Sequence, residues 1–529
     1  MQDWLTRLWR SPYLPLCLVL LASAGCKIAL LGSRELWLDE TYSAFEAHLP
    51  FRELLRFSSG DVHPPLFSIL LWTWVNLVGD EQAQLRLFSV LLNIFSMIAM
   101  FFLGRRALGV RFGAFAAILF ALSPILFVYS LEVRSYMLFV FVFICLLLVH
   151  WIVAVEQKAS PGLIAIYGAL ATLLFYIHYL GIFILLGLFA HWAIVSDLQR
   201  DRLRKLCTVG VLTAVLVSPG VYLLLHQYHL KVQSDQRLKL SNADSNALSF
   251  GDTEPDSARK HQLQMALIKS GASVAGFYPA KMPLLFFLFA VPLACVLAGA
   301  GFLVLPRHDK VCQLFILVLL TIMGGVLCLH LANIRYILPL IPVTVLAIAR
   351  VLQFWVSTVR WRSTALAIGM FIFGLYLAGF YRQAFRPHGH PWQNVVAAIQ
   401  KDYRAGDQVV FDALYAQVPF DYFAIHQHFQ PRETGFPISI YDWWTRQSHT
   451  AWGGPVMTKA DLNQFLATRP GTKTLWLVSF ETYYYDPHEA LLAELRRRGE
   501  VTEVALPPDP DSLPSQQDSH PRLIRVTLH

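Results

Sequence analysis

The sequence has few charged residues for its length. Asp, Glu, Lys and Arg make up only 15% of its 529 residues, whereas 56% are hydrophobic. A soluble protein of this size cannot bury so much apolar surface, so the composition excludes an ordinary soluble globular fold. Apolar stretches near the length that crosses about 30 Å of hydrocarbon recur from Pro12 to about Tyr381 and then stop. The sequence therefore predicts a polytopic membrane protein.

Cysteine is scarce as well, and its placement is informative. All seven cysteines lie in apolar runs, and the long loops and the C-terminal region have none, so neither a disulfide framework nor a cysteine-based metal site is indicated. No glycine-rich phosphate loop occurs, and we expect no nucleotide cofactor. The net charge of +8 comes from basic residues concentrated at helix ends, which membrane orientation explains better than nucleic-acid binding.

Eleven apolar stretches predict membrane-spanning helices. The first is too long for the core of a signal peptide and carries Lys27 late in the run, which favours a retained helix. We predict an α-helical membrane domain over residues 1–381 and a soluble α/β domain over residues 382–529. The predicted spans are 12–32, 85–104, 112–130, 136–155, 163–178, 180–197, 206–226, 283–305, 311–330, 337–355 and 363–381.

One further apolar stretch, Leu66–Val78, is short for a span, and its placement fixes the predicted topology. If it crossed the membrane, Arg105, Arg106 and Arg111 would lie on the same side as the long loops. If it lies in the interface, these arginines join the other basic residues on one side, which the positive-inside rule favours. The N-terminus is then cytoplasmic, and the C-terminal domain lies outside.

Five polar clusters fall on this predicted outer face. Ionisable groups at a membrane boundary are costly, which points to a functional site. Structural explanations stay open for each cluster: a helix cap, a turn before a helix, a local ion pair, or an arginine that reaches to the interface. The clusters are Asp39-Glu40, Asp61-Val62-His63, Glu132-Val133-Arg134-Ser135-Tyr136, His178-Tyr179 and Arg335-Tyr336.

Three of these clusters suggest particular chemistry. Asp39 and Glu40 are adjacent and point in different directions, so only one of them is a candidate general base. Asp61 and His63 could bind a metal ion or contact a phosphate, although two ligands alone do not define a metal site. Arg134 has the planar fork that suits phosphate oxygens.

The predicted loops and the C-terminal domain differ in character. Residues 33–63 and 227–282 are predicted as long outer loops; the first contains an amphipathic stretch, Thr41–Phe57, and the second a polar segment that indicates a mobile loop or lid. The C-terminal domain alternates predicted helices with predicted strands. The helices are 392–403, 418–426, 459–467 and 488–498, and the strands are 408–411, 474–480, 501–505 and 522–528.

In this order, the clusters resemble the GT-C membrane glycosyltransferases. The branch concerned contains protein O-mannosyltransferases, lipid A aminoarabinose transferases and bacterial transferases of lipopolysaccharide cores. Each motif is weak alone, and the ordered set carries the resemblance, which extends to about residue 430. The motifs are Trp37-Leu38-Asp39-Glu40, Asp61-Val62-His63-Pro64-Pro65-Leu66, residues 129–136, His178-Tyr179, Arg335-Tyr336-Ile337-Leu338-Pro339 and the segment 382–403.

This resemblance implies an inverting glycosyltransferase that uses a sugar linked to polyprenyl phosphate. It implies that Asp39 is the base that acts on the acceptor and that Glu132 is a second acid, while the role of Glu40 stays open. Arg335, with Arg134 or His63, is expected to hold the lipid phosphate. The other residues expected at the substrate, from the same motifs, are Asp61, Tyr136, His178 and Tyr336.

The expected partners are the lipid-linked donor, a glycan, lipid or protein acceptor, and membrane lipids, with no nucleic acid. A divalent metal ion is left open, since some members of the family use one. The expected location is a bacterial inner membrane, with the C-terminal domain in the periplasm. The alternatives are a transporter or flippase of lipid-linked saccharides, or a structural membrane protein whose outer domain binds partners. Acids grouped with arginines on one face, few ionisable groups at mid-membrane and no visible internal repeat favour the enzyme.

Overall fold

The computed structural model describes most of the chain. The described residues are 11–197, 199–242, 309–329, 334–386, 389–446, 459–467, 474–480, 482, 486, 489–507 and 520–529. The predicted span 283–305 and most of the predicted loop 227–282 lie outside these residues.

The helices of the described residues, in chain order, are α1 Tyr13–Ala29, α2 Leu38–His48, α3 Phe51–Gly60, α4 Leu66–Val78, α5 Gln82–Ala121, α6 Pro124–Ser130, α7 Tyr136–His150, α8 Pro161–Ile177, α9 Gly181–Val195, α10 Arg200–Asn242, α11 Lys310–Cys328, α12 Leu340–Ser357, α13 Arg362–Ala384, α14 Pro391–Asp402, α15 Gln417–His426, α16 Ile440–Arg446, α17 Lys459–Ala467 and α18 Ala490–Arg498. The strands are β1 Gln408–Asp412, β2 Glu433–Gly435, β3 Thr474–Ser479, β4 Gly499–Val504 and β5 Arg522–Leu528.

The chain forms two compact units. The membrane unit comprises the described residues of Met1–Leu31, Ala83–Val221 and Pro255–Arg386, and it is helical. The loop-sheet unit comprises the described residues of Gly32–Gln82, Tyr222–Glu254 and Pro387–His529. The first predicted outer loop therefore belongs to the same unit as the C-terminal sheet.

Six helices of the described chain are long and apolar enough to cross a membrane: α5, α7 with the five residues after it, α10, α11, α12 and α13. Shorter apolar helices are α1, α4, α8 and α9. The prediction of a multi-pass helical protein is confirmed, while the count of eleven crossings stays a prediction.

The predicted span 85–104 and most of the predicted span 112–130 belong to one interrupted helix, α5. Gly109 has a φ of 79°, which breaks α5, and the backbones on either side approach closely: a Cβ on Gly104 would lie 2.8 Å from the Cα of Gly113. Only glycine permits such contact. The predicted span 112–130 is also interrupted, because α5 ends at Ala121 and Pro124 starts α6.

Other boundaries correct the sequence prediction. The predicted amphipathic stretch Thr41–Phe57 is two helices, since α2 ends at His48 and α3 follows the cap residue Pro50. The predicted span 206–226 belongs to the longer helix α10, which continues to Asn242 and replaces the start of the predicted loop. The break between α2 and α3 has a local cause, because Pro50 lacks the N–H that would continue the helix.

The loop-sheet unit is built on a five-stranded sheet with the order β2-β1-β3-β5-β4. Strands β1, β2 and β3 are parallel, whereas β5 pairs antiparallel with β3 and β4. Four predicted strands and four predicted helices of this domain are confirmed within two or three residues, and the short elements β2 and α16 were not predicted.

Helices cover both faces of this sheet. On one face, α17 and α18 pack against alternate strand residues, among them Val410, Leu477 and Ile524. On the other face, Phe411 contacts Phe420 of α15 with ring centroids 5.0 Å apart. Strands β1 and β3 are buried along their whole length, as expected for parallel strands covered on both faces.

The segment Gly32–Gln82, which contains the predicted first outer loop, packs onto the C-terminal sheet domain through specific contacts. The Trp392 backbone N–H donates to Glu35 at 2.8 Å, and the Tyr422 hydroxyl donates to the Asp80 carbonyl at 2.9 Å. The Trp444 ring lies 4.9 Å from the rings of both Phe45 and Phe57. Helices α2 and α3 are therefore held against α16 by an aromatic cluster.

Candidate functional site

Asp39 and Glu40 lie in the first turn of α2, and the structure separates their surroundings. Glu40 is 1% exposed, and its carboxylate accepts from the backbone N–H of Trp37 at 3.2 Å. It therefore caps the helix. Asp39 is half-buried, and its backbone carbonyl accepts from the Ser43 hydroxyl at 3.0 Å. A capping function is thus observed for Glu40, and the catalytic interpretation of both acids stays a prediction.

Asp61 and His63 form a compact pair in the loop between α3 and α4. Asp61 Oδ1 accepts from the Val62 N–H at 2.7 Å, and Asp61 Oδ2 lies 3.0 Å from His63 Nδ1. A carboxylate can only accept, so Nδ1 carries the proton of this hydrogen bond. When the ring is protonated, Nε2 is a second donor, which can contact an anion. Both side chains are close to 30% exposed and remain accessible.

Arg335, in the membrane unit, lies among aromatic rings. Its guanidinium carbon is 5.6 Å from the Tyr336 ring centre and 6.0 Å from the Tyr136 ring centre. Such positions are favourable for a cation over a π face, and they restrict the guanidinium more than an exposed surface would. Arg335 and Tyr336 stand on a short 3-10 turn, Ile334–Ile337, directly before α12.

His178 completes this group of side chains. Its ring centre lies 5.6 Å from Tyr336 and 5.5 Å from Phe139. The Leu180 backbone N–H donates to His178 Nδ1 at 3.1 Å, so in the neutral ring the proton is on Nε2. The predicted residues Arg335, Tyr336, Tyr136 and His178 are therefore brought together, from three separate segments of the membrane unit.

Glu132 and Arg134 lie in the tight turn between α6 and α7, where both are half-buried. The turn is fixed from outside, because the Ser89 hydroxyl of α5 donates to the Glu132 carbonyl at 2.6 Å. Tyr136 begins α7, and its ring lies 5.2 Å from that of Tyr129. The two ends of the motif 129–136 thus meet, with Glu132 and Arg134 in the turn between them.

The predicted site residues divide between the two units. Asp39, Glu40, Asp61 and His63 belong to the loop-sheet unit, and the other six belong to the membrane unit. Within each unit, neighbouring site residues are observed together. Their joint action as one site, and the role of each, stay predictions.

Several polar residues that support these groups were not predicted. Ser89 holds the Glu132 turn; Glu46 and Gln227 hold the loop of Asp61 and His63. The sequence offered a signal for Glu46 alone, which follows Asp39 by seven residues and so falls on the same helix face. Ser89 lies in an apolar helix and Gln227 lies between His226 and His229, and the partners of both are far away in sequence.

No metal ligand set accompanies the site among the side chains that the structure describes: no three His, Cys, Asp or Glu residues are arranged to hold an ion. Two imidazoles do approach one carboxylate, since Asp80 Oδ2 lies 2.8 Å from His48 Nε2 and 3.7 Å from His426 Nε2. The shorter separation is a direct hydrogen bond, which leaves no position for an ion between the two atoms.

Residues 62–223 match the family model described as dolichyl-phosphate-mannose-protein mannosyltransferase. The structure is similar over almost its full length to that of ArnT from Cupriavidus metallidurans in the apo state: the TM-score is 0.57, the identity is 16%, and 98% of each chain is covered. The chain has the GT-C fold.

The GT-C fold extends to further solved structures. ArnT bound to undecaprenyl phosphate matches with a TM-score of 0.56 at 14% identity, covering 96% of this chain and 97% of that one. The Archaeoglobus fulgidus oligosaccharyltransferase in complex with Zn and sulfate matches with a TM-score of 0.53 at 12% identity, covering 92% and 72%. No sequence in a set of curated proteins matches significantly. The predicted GT-C resemblance is thus confirmed for the fold.

Proposed function

We propose that this protein is an inverting glycosyltransferase that moves a sugar from a polyprenyl-phosphate donor to an envelope glycan, lipid or protein acceptor. The observation that carries the proposal is Arg335, a cation held among the Tyr136, Tyr336 and His178 rings in a chain with the GT-C fold. The matches to a mannosyltransferase model and to ArnT bound to undecaprenyl phosphate support the donor class.

The donor requires little activation in this proposal. A sugar linked through a phosphodiester already has a good leaving group, so the enzyme must stabilise the negative charge that develops on the departing lipid phosphate. Arg335 supplies this charge stabilisation, with Arg134 or His63 as a further cation. Because the Tyr136 and Tyr336 rings already hold Arg335, its guanidinium needs little further ordering to meet the phosphate.

Asp39 is the proposed base. An acceptor hydroxyl loses its proton to the Asp39 carboxylate while its oxygen forms a bond to the anomeric carbon. The bond from that carbon to the phosphate oxygen breaks, and the electron pair leaves with the polyprenyl phosphate. Attack from the side opposite the leaving group inverts the anomeric carbon. Glu132 is a second acid at the acceptor, and Glu40 keeps the first turn of α2 in place.

We propose that the site faces the periplasm, at the outer surface of a bacterial inner membrane. This proposal rests on two features of the sequence: basic residues concentrate in the predicted inner loops, and Asp39 and Glu132 lie in predicted loops on the opposite side. The acceptor is then a component of the cell envelope, which reaches the site from the aqueous side or from the outer leaflet.

Mass spectrometry of envelope glycans and lipids tests this function in the organism. We expect a strain that lacks the gene to lose one sugar from a glycan, lipid or protein, and to accumulate the matching polyprenyl-phosphate sugar. Expression of the natural chain should restore both. If no glycosylated component differs between the strains, the proposal is wrong. If the protein were instead a transporter of the lipid-linked saccharide, the strain that lacks the gene would lose every product made from that saccharide.

A further inference from the structure

The loop that carries Asp61 and His63 is held by two polar side chains from other helices. Glu46 of α2 accepts from the hydroxyls of Ser58 and Ser68, the latter at 2.8 Å. Ser58 lies before the loop and Ser68 after it, so one carboxylate connects the two flanks. Hydrogen bonds to an ionised acceptor are stronger than neutral ones, and a carboxylate has enough acceptor sites for both.

Gln227 of α10 holds the same loop from another side. Its side-chain N–H group donates to the Ser58 carbonyl at 2.9 Å and to the His63 carbonyl at 3.2 Å. Gln227 is 2% exposed, so these bonds are made away from water, where an unpaired carbonyl would be costly. The Ser58 carbonyl also accepts from the Asp61 N–H at 3.3 Å, which closes the first turn of the loop.

These contacts connect the loop to the helix that begins at the proposed base. Glu46 follows Asp39 by seven residues, which is close to two helical turns, and both lie on one face of α2. Glu46 therefore links α2 directly to both flanks of the loop. Pro64 and Pro65 restrict the remaining backbone between His63 and α4.

We propose that Glu46 and Gln227 are positioning residues for the donor-binding side chain His63, and that Glu46 couples its position to that of Asp39. This inference rests on the proposed function and deepens it, because it assigns His63 to the lipid phosphate. A purely packing role would be served equally well by apolar side chains of the same volume. The buried amide of Gln227 instead bonds the backbone carbonyl of His63 itself, and the Glu46 carboxylate bonds the hydroxyls of Ser58 and Ser68 on the two flanks of the loop.

The test measures binding of undecaprenyl phosphate to the full-length protein in nanodiscs. We expect His63→Ala and Glu46→Ala each to weaken binding about tenfold, and the double variant to be no weaker than His63→Ala alone, because Glu46 acts through His63. Glu46→Gln should stay within about twofold of the parent, since an amide can still bond both hydroxyls. Gln227→Leu should behave like Glu46→Ala.

Matched controls exist on the same helices. Ser59 donates to the Arg56 carbonyl of its own helix, and Gln233 of α10 bonds to the His229 ring. Ser59→Ala and Gln233→Leu should bind like the parent, whereas Ser58→Ala and Gln227→Leu should not. Ser68→Ala, which removes one arm of Glu46, replaces Glu46→Ala if that variant does not fold.

The outcomes separate the two levels of the proposal. If the parent binds no undecaprenyl phosphate, or if Arg335→Ala binds it as the parent does, the proposed function is wrong. If Arg335→Ala weakens binding while Glu46→Ala and Gln227→Leu leave it unchanged, the positioning role is wrong. The positioning role would also be wrong if the fold-losses of affinity caused by Glu46→Ala and His63→Ala multiplied in the double variant, because the two side chains would then act independently.

Discussion

At the residue scale, Arg335 is the side chain for which the structure adds most to the sequence. The motif placed an arginine at the start of a helix, where it could have extended to the interface without further role. The structure places it within 6.0 Å of two tyrosine ring centres, one of them more than 190 positions earlier in the chain. Long-range contacts of this kind cannot be derived from one sequence.

The planar guanidinium gives a sharp prediction for Arg335→Lys. Lysine keeps the charge but loses the flat face that stacks on the rings and the fork that bonds two phosphate oxygens. We expect Arg335→Lys to weaken binding of undecaprenyl phosphate about tenfold or more, measured with the purified chain in nanodiscs. Arg360→Lys is the matched control, since Arg360 lies 5.6 Å from the Trp361 ring outside the predicted site. Equal binding by Arg335→Lys and the parent would indicate an interfacial arginine.

At the scale of elements, the helices were predicted better than the breaks between them. Apolar length and periodicity identify α7, α11 and α13, because each is one apolar run. The reversal at Gly109 depends on the contact of Gly104 with Gly113, which lie nine residues apart. The break at Pro50 has a local cause, since proline lacks the N–H that continues a helix, and it was missed although the proline stands in the sequence. Short elements such as β2 carry too few residues to show a period.

One pair of acids in the sheet domain predicts a pH dependence. Burial, followed by the nearby Glu433 carboxylate, raises the pKa of Asp421 to about 9, and burial raises the pKa of Glu433 as well. The folded domain thus keeps a proton that the unfolded chain releases near pH 4. Between these values the folded state binds more protons, so its free energy of unfolding falls as pH rises.

Replacement of Asp421 by Asn should reduce this dependence. An amide has no proton to lose and still accepts from the Tyr441 hydroxyl. For one proton the slope is at most about 1.4 kcal/mol per pH unit. We expect the midpoint of thermal unfolding, followed by tryptophan fluorescence of the full chain, to fall less between pH 6 and pH 9 in Asp421→Asn. Asp442→Asn, an exposed acid of α16, should retain the slope of the parent. Equal slopes for Asp421→Asn and the parent would contradict the account.

At the scale of the whole molecule, the predicted topology depends on α4. Its 13 residues extend about 20 Å, which is less than the hydrocarbon thickness of about 30 Å. The structure places α4 in the loop-sheet unit, with α2 and α3. The order of the motifs could be read from the sequence. The grouping of α2, α3 and α4 with the C-terminal sheet could not, because it depends on contacts between segments far apart in the chain.

Cysteine labelling tests this topology. In a variant without the native cysteines, a membrane-impermeant maleimide should label Glu81→Cys, just after α4, in intact cells. Lys158→Cys, whose side chain is 70% exposed, should react only after permeabilisation. Gly79 is unsuitable for labelling, because a cysteine at its φ of 116° would have a strained backbone. Labelling of Glu81→Cys only after permeabilisation would place α4 across the membrane.

The central claim is sugar transfer from a polyprenyl phosphate with Asp39 as the base. The most direct measurement incubates the purified chain in nanodiscs with the lipid-linked sugar fraction and envelope acceptors extracted from the deletion strain. We expect release of polyprenyl phosphate together with a product whose anomeric configuration, read by NMR, is opposite to that of the donor. Asp39→Asn should bind undecaprenyl phosphate like the parent and lose at least about a hundredfold of the transfer rate. Full transfer by Asp39→Asn, or a product of unchanged configuration, would contradict the account.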